Sequence, residues 1–380
     1  MSGVRSKVLV VTAECDVPPR SGGALRAQRL LRSLALHADV RVLAVQETDG
    51  SALRESTGVA SVAVHTRSVS AVRARIRAVA RRWPVPSARW WHAAVAAEVD
   101  EHARAGGLVV LDHTWLGVYA PRRGAFVLST QNVESELVAS LPPSGSRWRA
   151  WEQRWDVAML KRLEHSVAGR PDALVVTVSE GDAHALGRSD ALIVENGTDL
   201  PIAPPPRPAE GRLLYIGNMS YMPNRLAVRW WLDHVRPLLS PQLPPLTVVG
   251  RGARLAFGDE TGLQVLDEVD EVAPVLAQTR VVVVPLQHGG GTRLKVLEAF
   301  AWRRPVVSTS KGAEGLGARH GEHLVLADDP VAFAREVERL YGDDPSIDAL
   351  IKGGATLARR YDWNLLGERY AAAVLERARG

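Results

Sequence analysis

Short runs of branched apolar residues alternate along this chain with longer stretches in which apolar positions recur every three or four residues. A continuous apolar run bounded by turn formers predicts a strand buried on both faces, and the longer recurrence predicts a helix lying over it. The strand pattern falls on residues 8–12, 40–45, 61–66, 108–111, 126–130, 173–178 and 192–194, and again on 212–216, 246–250, 263–266, 280–284 and 305–308. Helical spacing occupies 24–37, where Leu30, Leu31, Leu34 and Ala35 share a face, then 72–83, 147–167, 226–235, 272–277, 331–340 and 347–360. Strands that alternate with helices build parallel sheets covered by helices, the α/β class. Between 201 and 208 the pattern stops at a proline cluster that reads as a semi-rigid linker, and from 212 it starts again. The expected division is 1–195 and 196–360, two parallel-sheet domains, with 361–380 a terminal helix introduced by Tyr361-Asp-Trp363.

Length supports this reading, because 380 residues exceed one ordinary domain and suffice for two with a core each. Charge changes the picture little: 47 basic against 42 acidic residues leave a net +5, which suits phosphate-bearing ligands or an anionic membrane surface and does not call for nucleic acid. Cys15 is the only cysteine, which excludes an intrachain disulfide and cysteine-based metal clusters and suits a reducing compartment. The apolar run near the N-terminus stops at Glu14 and is too short for a signal sequence, and no stretch reaches the roughly 18 uncharged apolar residues of a membrane span. The expected location is the cytoplasm, with peripheral contact at the inner membrane face left open. The helix 72–83 bears on that option, since Arg73, Arg75, Arg77, Arg81 and Arg82 leave a narrow apolar side of Val72, Ile76 and Val79. It reads as a solvated surface helix or as one that docks on anionic lipid, with the solvated face preferred. Trp148, Trp151 and Trp155, spaced for one helix face, read as packing, while Trp83, Trp90 and Trp91 fit either core packing or a cleft lining.

Chemistry concentrates in the second half. The four valines 281–284 lead through Pro285-Leu-Gln-His to Gly289-Gly-Gly-Thr-Arg-Leu-Lys-Val-Leu-Glu298 and then a second apolar run, Pro305-Val-Val-Ser308. A strand, a glycine turn and a helix N-terminus read either as an ordinary turn without a ligand or as an anion cradle, in which Gly289, Gly290 and Gly291 allow close backbone approach, Thr292 is suited to cap the helix, and Arg293 and Lys295 add positive charge. Glu298 falls on the apolar face with Leu294 and Ala301, where an unpaired carboxylate costs several kcal/mol unless a ligand supplies hydroxyl donors or Lys295 pairs with it.

The run Gly-Thr-Arg-Leu-Lys-Val-Leu-Glu-Ala-Phe-Ala, with Arg-Pro-Val-Val-Ser-Thr and Gly-Ala-Glu-Gly after it, resembles the donor-site signature of retaining GT-B glycosyltransferases of the family 4 type. The resemblance implies two Rossmann-like domains facing each other across a cleft, with the terminal helix crossing back to the first. It implies transfer of a sugar from a UDP-, GDP- or dTDP-linked donor to an acceptor hydroxyl on a small molecule, glycan or glycolipid, by a retaining, metal-independent, hexosyltransferase-like enzyme with no further cofactor. Family members carry two glutamates eight positions apart. Glu298 matches the second, which holds the donor ribose, while Gly290 stands where the first would touch the sugar, as in the subset with a Gly-Gly-Gly-Thr-Arg-Leu-Lys variant. The family's arginine and lysine after the first strand of this domain are replaced by Asn224-Arg225, so the diphosphate duty passes to Arg293 and Lys295. The base would lie at Glu268-Val269-Asp270.

In the first domain, Gly22 and Gly23 open a helix after the first strand, either as a plain turn or as a backbone approach to the donor phosphates, with Arg26 one turn in. His113 ends a strand on the ligand side of the sheet and matches the family's sugar-contacting histidine; a hydrogen-bonded structural histidine is the alternative. Asn132 and Glu134, in a stretch resembling the family's His-Asn-Val-Glu-Ser, reach the acceptor side or cap the following helix. The site expected is thus His113, Arg293 and Lys295 as catalytic groups; Glu298, Gly290, Gly291, Thr292, Val269, Gly22 and Gly23 toward the donor; and Arg26, Asn132 and Glu134 toward the acceptor, with no metal. A nucleotide-sugar epimerase of the same fold and a non-catalytic binding subunit are the alternatives.

Overall fold

The computed structural model describes residues 5–19, 21–141, 146–267, 269, 271–289, 293–342 and 345–379. They form two compact units, Met1–Glu195 with Asn364–Gly380, and Asn196–Trp363.

The first unit is built on seven strands: β1 (Lys7–Thr12), β2 (Asp39–Ala44), β3 (Ser61–Val64), β4 (Leu108–Asp112), β5 (Phe126–Ser129), β6 (Ala173–Thr177) and β7 (Leu192–Ile193). Their order is β3-β2-β1-β4-β5-β6-β7, and every pairing is parallel. Val8, Leu9, Val11, Val109, Val110, Leu111 and Phe126 to Leu128 are fully buried, as expected when helices cover both faces. The order reverses between β1 and β4, so the loops after these neighbours leave in opposite directions and open a crevice at their carboxyl ends. From Asn364 onward the last helix, Trp363–Arg379, belongs to this unit. Gly367 sits where a Cβ would overlap the Ser33 side chain, and His37 Nε2 lies 2.9 Å from Glu368.

The second unit repeats the plan with six strands: β8 (Arg212–Ile216), β9 (Leu246–Val249), β10 (Leu263–Leu266), β11 (Thr279–Val284), β12 (Val306–Ser308) and β13 (Val325–Leu326). The order β10-β9-β8-β11-β12-β13 is again all parallel, with its reversal between β8 and β11. Val281 to Val284 are fully buried, and the helix Leu294–Ala301 carries the chain from β11 to β12, burying Val296, Leu297 and Phe300. The proline-rich segment 201–208 is strapped to this unit: Arg304 Nη2 donates to Pro205 O at 3.1 Å and Arg280 Nη1 to Pro208 O at 2.7 Å.

Candidate functional site

The reversal in the second sheet gathers the residues of interest. Beyond β8 the chain turns at Gly217, whose amide donates to Val249 O at 2.9 Å, and enters the helix Met222–Trp230. A Cβ on Gly250 would overlap the Gly217 carbonyl, and Gly250 has a φ of +140°, so two strand ends meet here with backbone alone between them. Gly289, at φ +105°, brings the loop after β11 against Tyr221, which ends the loop after β8, and Pro223 in the first turn of the helix Met222–Trp230.

Arg293, at the cap of the helix that follows, and Lys295 and Glu298 within it lie near this place. Arg293, buried at 5% exposure, donates from Nη2 to Gly289 O at 2.9 Å and from Nε to Lys311 O at 3.1 Å, with Glu314 at 3.3 Å. Lys311 is fixed in turn, because Thr309 Oγ1 accepts from Gly312 N and Gly312 leaves no room for a Cβ against Ser308 and Val284 O. Lys295 sends its ammonium to Tyr215 Oη at 3.0 Å and Asn224 Oδ1 at 2.9 Å, lying 4.2 Å from the centre of the Tyr215 ring. Tyr215 itself donates to Asn224 Oδ1 at 2.7 Å. Burial, and then the neighbouring Arg293, push the Lys295 ammonium down to about 7.

Glu298 is half-buried one helical turn further, and among the described residues its carboxylate has neither a hydrogen-bond nor an ion-pair partner. Burial pushes it up to about 7, opposed by Lys295 and reinforced by Asp199. Pairing of Glu298 with Lys295, open on sequence grounds, is not what the structure has, since the ammonium turns instead to two neutral oxygens. Thr292 is expected as the helix cap, whereas the helix runs Leu294–Ala301 with Arg293 at the capping position and no side-chain cap bond. Gly290, Gly291 and Thr292 themselves lie outside the described residues, as do Glu268 and Asp270. Val269 between them is half-buried against the core of this unit.

The reversal in the first sheet places Thr12 beside Asp112, with Thr12 Oγ1 donating to Asp112 Oδ2 at 2.9 Å. Burial raises Asp112 to about 6, opposed by the neighbouring His113 ring, the next residue in the chain. His113 is 3% exposed and stacks on Trp115 at 6.0 Å, and among the described residues neither ring nitrogen has a hydrogen-bond partner, so the alternative of a bonded strand-end histidine is not realised there. Glu134 is half-buried and raised by burial, with the His113 ring working the other way. Asn132 is half-buried too. Neither caps the next helix, Glu134–Ser140, which has no side-chain cap; Ser135 N is met instead by Glu164 Oε1 at 3.2 Å. Gly22 opens the helix Gly22–His37 behind a Ser21 cap, and Gly23 has a local packing reason to be glycine, because a Cβ would overlap the ends of Gln131 and Glu14. Arg26, expected on the acceptor side, is fully buried and donates from Nη1 to Glu195 O at 3.0 Å.

Sequence reading alone does not find Tyr215, Asn224 as a hydrogen-bond partner, or Glu314. The signal present for Asn224 is its place after β8, where the resembling family carries a cation. Lys295 brings a cation to that spot from a different helix.

This arrangement, two parallel sheets with ligand-type crevices at their reversals, is the GT-B fold. Residues 210–343, which lie in the second unit, match the family described as glycosyl transferases group 1. An uncharacterized 44.6 kDa protein in the cps region of Klebsiella pneumoniae is 32% identical over 139 residues, 33% of this chain and 36% of that protein. The D-inositol 3-phosphate glycosyltransferase of Streptomyces bingchenggensis is 29% identical over 130 residues, 34% of this chain and 28% of its own length. The sequence matches therefore span about a third of each curated relative. Over nearly the whole chain, the structure of Anabaena HepE in complex with UDP and glucose superposes with a TM-score of 0.68 at 14% identity, covering 98% of this chain and 99% of that one.

Proposed function

We propose that this protein transfers a sugar from a nucleoside-diphosphate sugar to an acceptor hydroxyl, with retention at the anomeric carbon and without a metal ion. The observation that carries the reading is Glu298: a half-buried carboxylate without a partner among the described residues, at a sheet reversal, beside Arg293 and Lys295, in the segment that matches the glycosyltransferase family. A vicinal diol such as ribose supplies the two donors such a carboxylate lacks. Lys295 suits the diphosphate for a specific reason. Tyr215 and Asn224 orient its ammonium with neutral oxygens, which leaves the charge for a phosphate, whereas Arg293 already shares Glu314.

As the glycosidic bond breaks, negative charge grows on the departing diphosphate, and preformed donors at that place stabilise it without reorganisation. The first unit contributes His113, whose two unmet ring nitrogens can each take a sugar hydroxyl, with Glu134 and Asn132 toward the acceptor. The acceptor is a small molecule, glycan or glycolipid. HepE, crystallised with UDP and glucose, supports a UDP-hexose as the first donor to try. A lone cysteine and the nucleotide-linked substrate suit the cytoplasm.

Incubation of the full chain with a panel of UDP-, GDP- and dTDP-sugars tests the proposal. Release of nucleoside diphosphate with sugar passed to an added acceptor, or to water, in the donor's anomeric configuration is expected. An epimerised donor makes the protein an isomerase, and binding without turnover under every acceptor makes it a binding subunit; either result overturns transfer.

A further inference from the structure

The arginine-rich helix and the tryptophan stripe turn out to be one surface. The helix Ala71–Arg81 buries only Ala74 and Ala78, and its apolar band faces outward, with Val72 64% and Ile76 65% exposed. On the helix Arg147–Ala168, Trp148 is 57% and Trp151 45% exposed, so the stripe that reads as packing in sequence is open to solvent. These tryptophans stack on each other, Trp148 on Trp151 at 5.2 Å and Trp151 on Trp155 at 5.8 Å.

The two bands lie side by side. Arg75, which shares a helix face with Val72 and Val79, donates to both oxygens of Glu152 at 3.0 and 2.9 Å. Glu152 shares a face with Trp148 and Trp155, and Trp155 Nε1 donates to Trp83 O at 3.1 Å.

Charge around this patch is predominantly positive. No acidic residue occurs between Glu55 and Glu98, and Arg73, Arg81, Arg147, Arg149 and Arg154 are exposed on its flanks. The nearby carboxylates are already engaged, Glu152 by Arg75 and Asp156 by the Val85 amide at 2.7 Å. Exposed valine, isoleucine and tryptophan cost free energy in water, and an arginine border repels a second copy of the same face. An anionic bilayer satisfies both terms: indole rings favour the headgroup level, short apolar side chains enter the acyl boundary, and arginines meet lipid phosphates. No described helix is long and apolar enough to cross a membrane, so the contact would be one of surface docking.

We propose that this face of the first unit docks on an anionic lipid bilayer, an inference that stands whether or not the donor-site reading does. Flotation of the full chain with vesicles of phosphatidylcholine alone, or of phosphatidylcholine and phosphatidylglycerol in equal parts, tests it. Binding is expected to the anionic vesicles at low salt and to fall at high salt. Arg73→Gln and Arg147→Gln should each lower partitioning about fivefold. Ile76→Ser with Trp151→Ala should lower it further while unchanged far-ultraviolet circular dichroism shows that the fold is kept. Failure of the parent to float with anionic vesicles at low salt overturns the proposal. So does flotation that these variants leave unchanged, or a concentration-dependent dimer on gel filtration that Ile76→Ser with Trp151→Ala dissolves, which would make a second copy the occupant.

Discussion

Glu298 and Lys295 lie one helical turn apart, carry opposite charges and do not pair, and burial moves both toward neutral pH, to about 7. The consequence is that the ionised carboxylate is held at some cost to stability. Below about 4.5 the carboxyl is protonated in folded and unfolded chains alike; above it the unfolded chain ionises first, so the parent loses stability as pH rises through about 7. Glu298→Gln removes that loss. Its melting temperature should exceed the parent's at pH 8, and the excess should shrink toward pH 5. Lys295 gives the opposite titration: largely neutral at pH 8, it must gain a proton when a diphosphate arrives. Calorimetry of UDP binding at pH 8 in buffers of different ionisation enthalpy should show proton uptake in the parent and less in Lys295→Met. Equal uptake in both would remove Lys295 from the phosphate site. Glu298 was legible in the sequence because a carboxylate on an apolar helix face is conspicuous. Tyr215 is not, because Leu213 to Ile216 of β8 carry no polar and apolar alternation that would show which residues face the crevice.

Among the elements, twelve of the thirteen described strands are legible within two residues at either end, since short valine-rich runs such as Val281 to Val284 between turn formers favour a strand buried on both faces, whereas the two-residue β13, Val325–Leu326, is too short to carry a pattern. Helices were read less completely. Gly50–Thr57 and Ala93–Arg104 show little stripe: the second has only Val95 and Val99 as large apolar residues, and alanine fills the rest of its buried side. The tryptophan stripe shows the converse limit, because helical spacing tells which residues share a face and not whether another element covers it. The close meeting of strand ends at the second reversal is also invisible in sequence, where Gly217 and Gly250 look like ordinary turn glycines. Gly250→Ala should place a Cβ into the Gly217 carbonyl at an unfavourable φ and cost about 1–3 kcal/mol, measurable by urea unfolding, with weaker UDP binding in the fraction that folds. Gly58→Ala, at a φ of +75° with no atom near the added methyl, isolates the backbone part of that cost and should leave UDP binding untouched.

For the whole molecule, the repeated alternation of strand and helix sets the fold class, and a GT-B architecture follows from two parallel sheets each with one reversal in strand order. Strand order itself is a long-range property that no local pattern encodes, so the two crevices had to come from topology. Basic groups at the second crevice, and a sequence without an Asp-x-Asp pair to hold a bridging cation, lead us to expect that chelator leaves transfer unchanged. Loss of activity in chelator with recovery on adding manganese would contradict the proposed charge stabilisation. The central claim is that Glu298 binds the nucleoside of the donor, and titration calorimetry of UDP against the parent chain and Glu298→Ala tests it most directly. Ribose is common to UDP and to the intact donor, so the account predicts that the substitution weakens both by a similar amount, about 1.5–3 kcal/mol. Parent-like affinity for UDP in Glu298→Ala would contradict it.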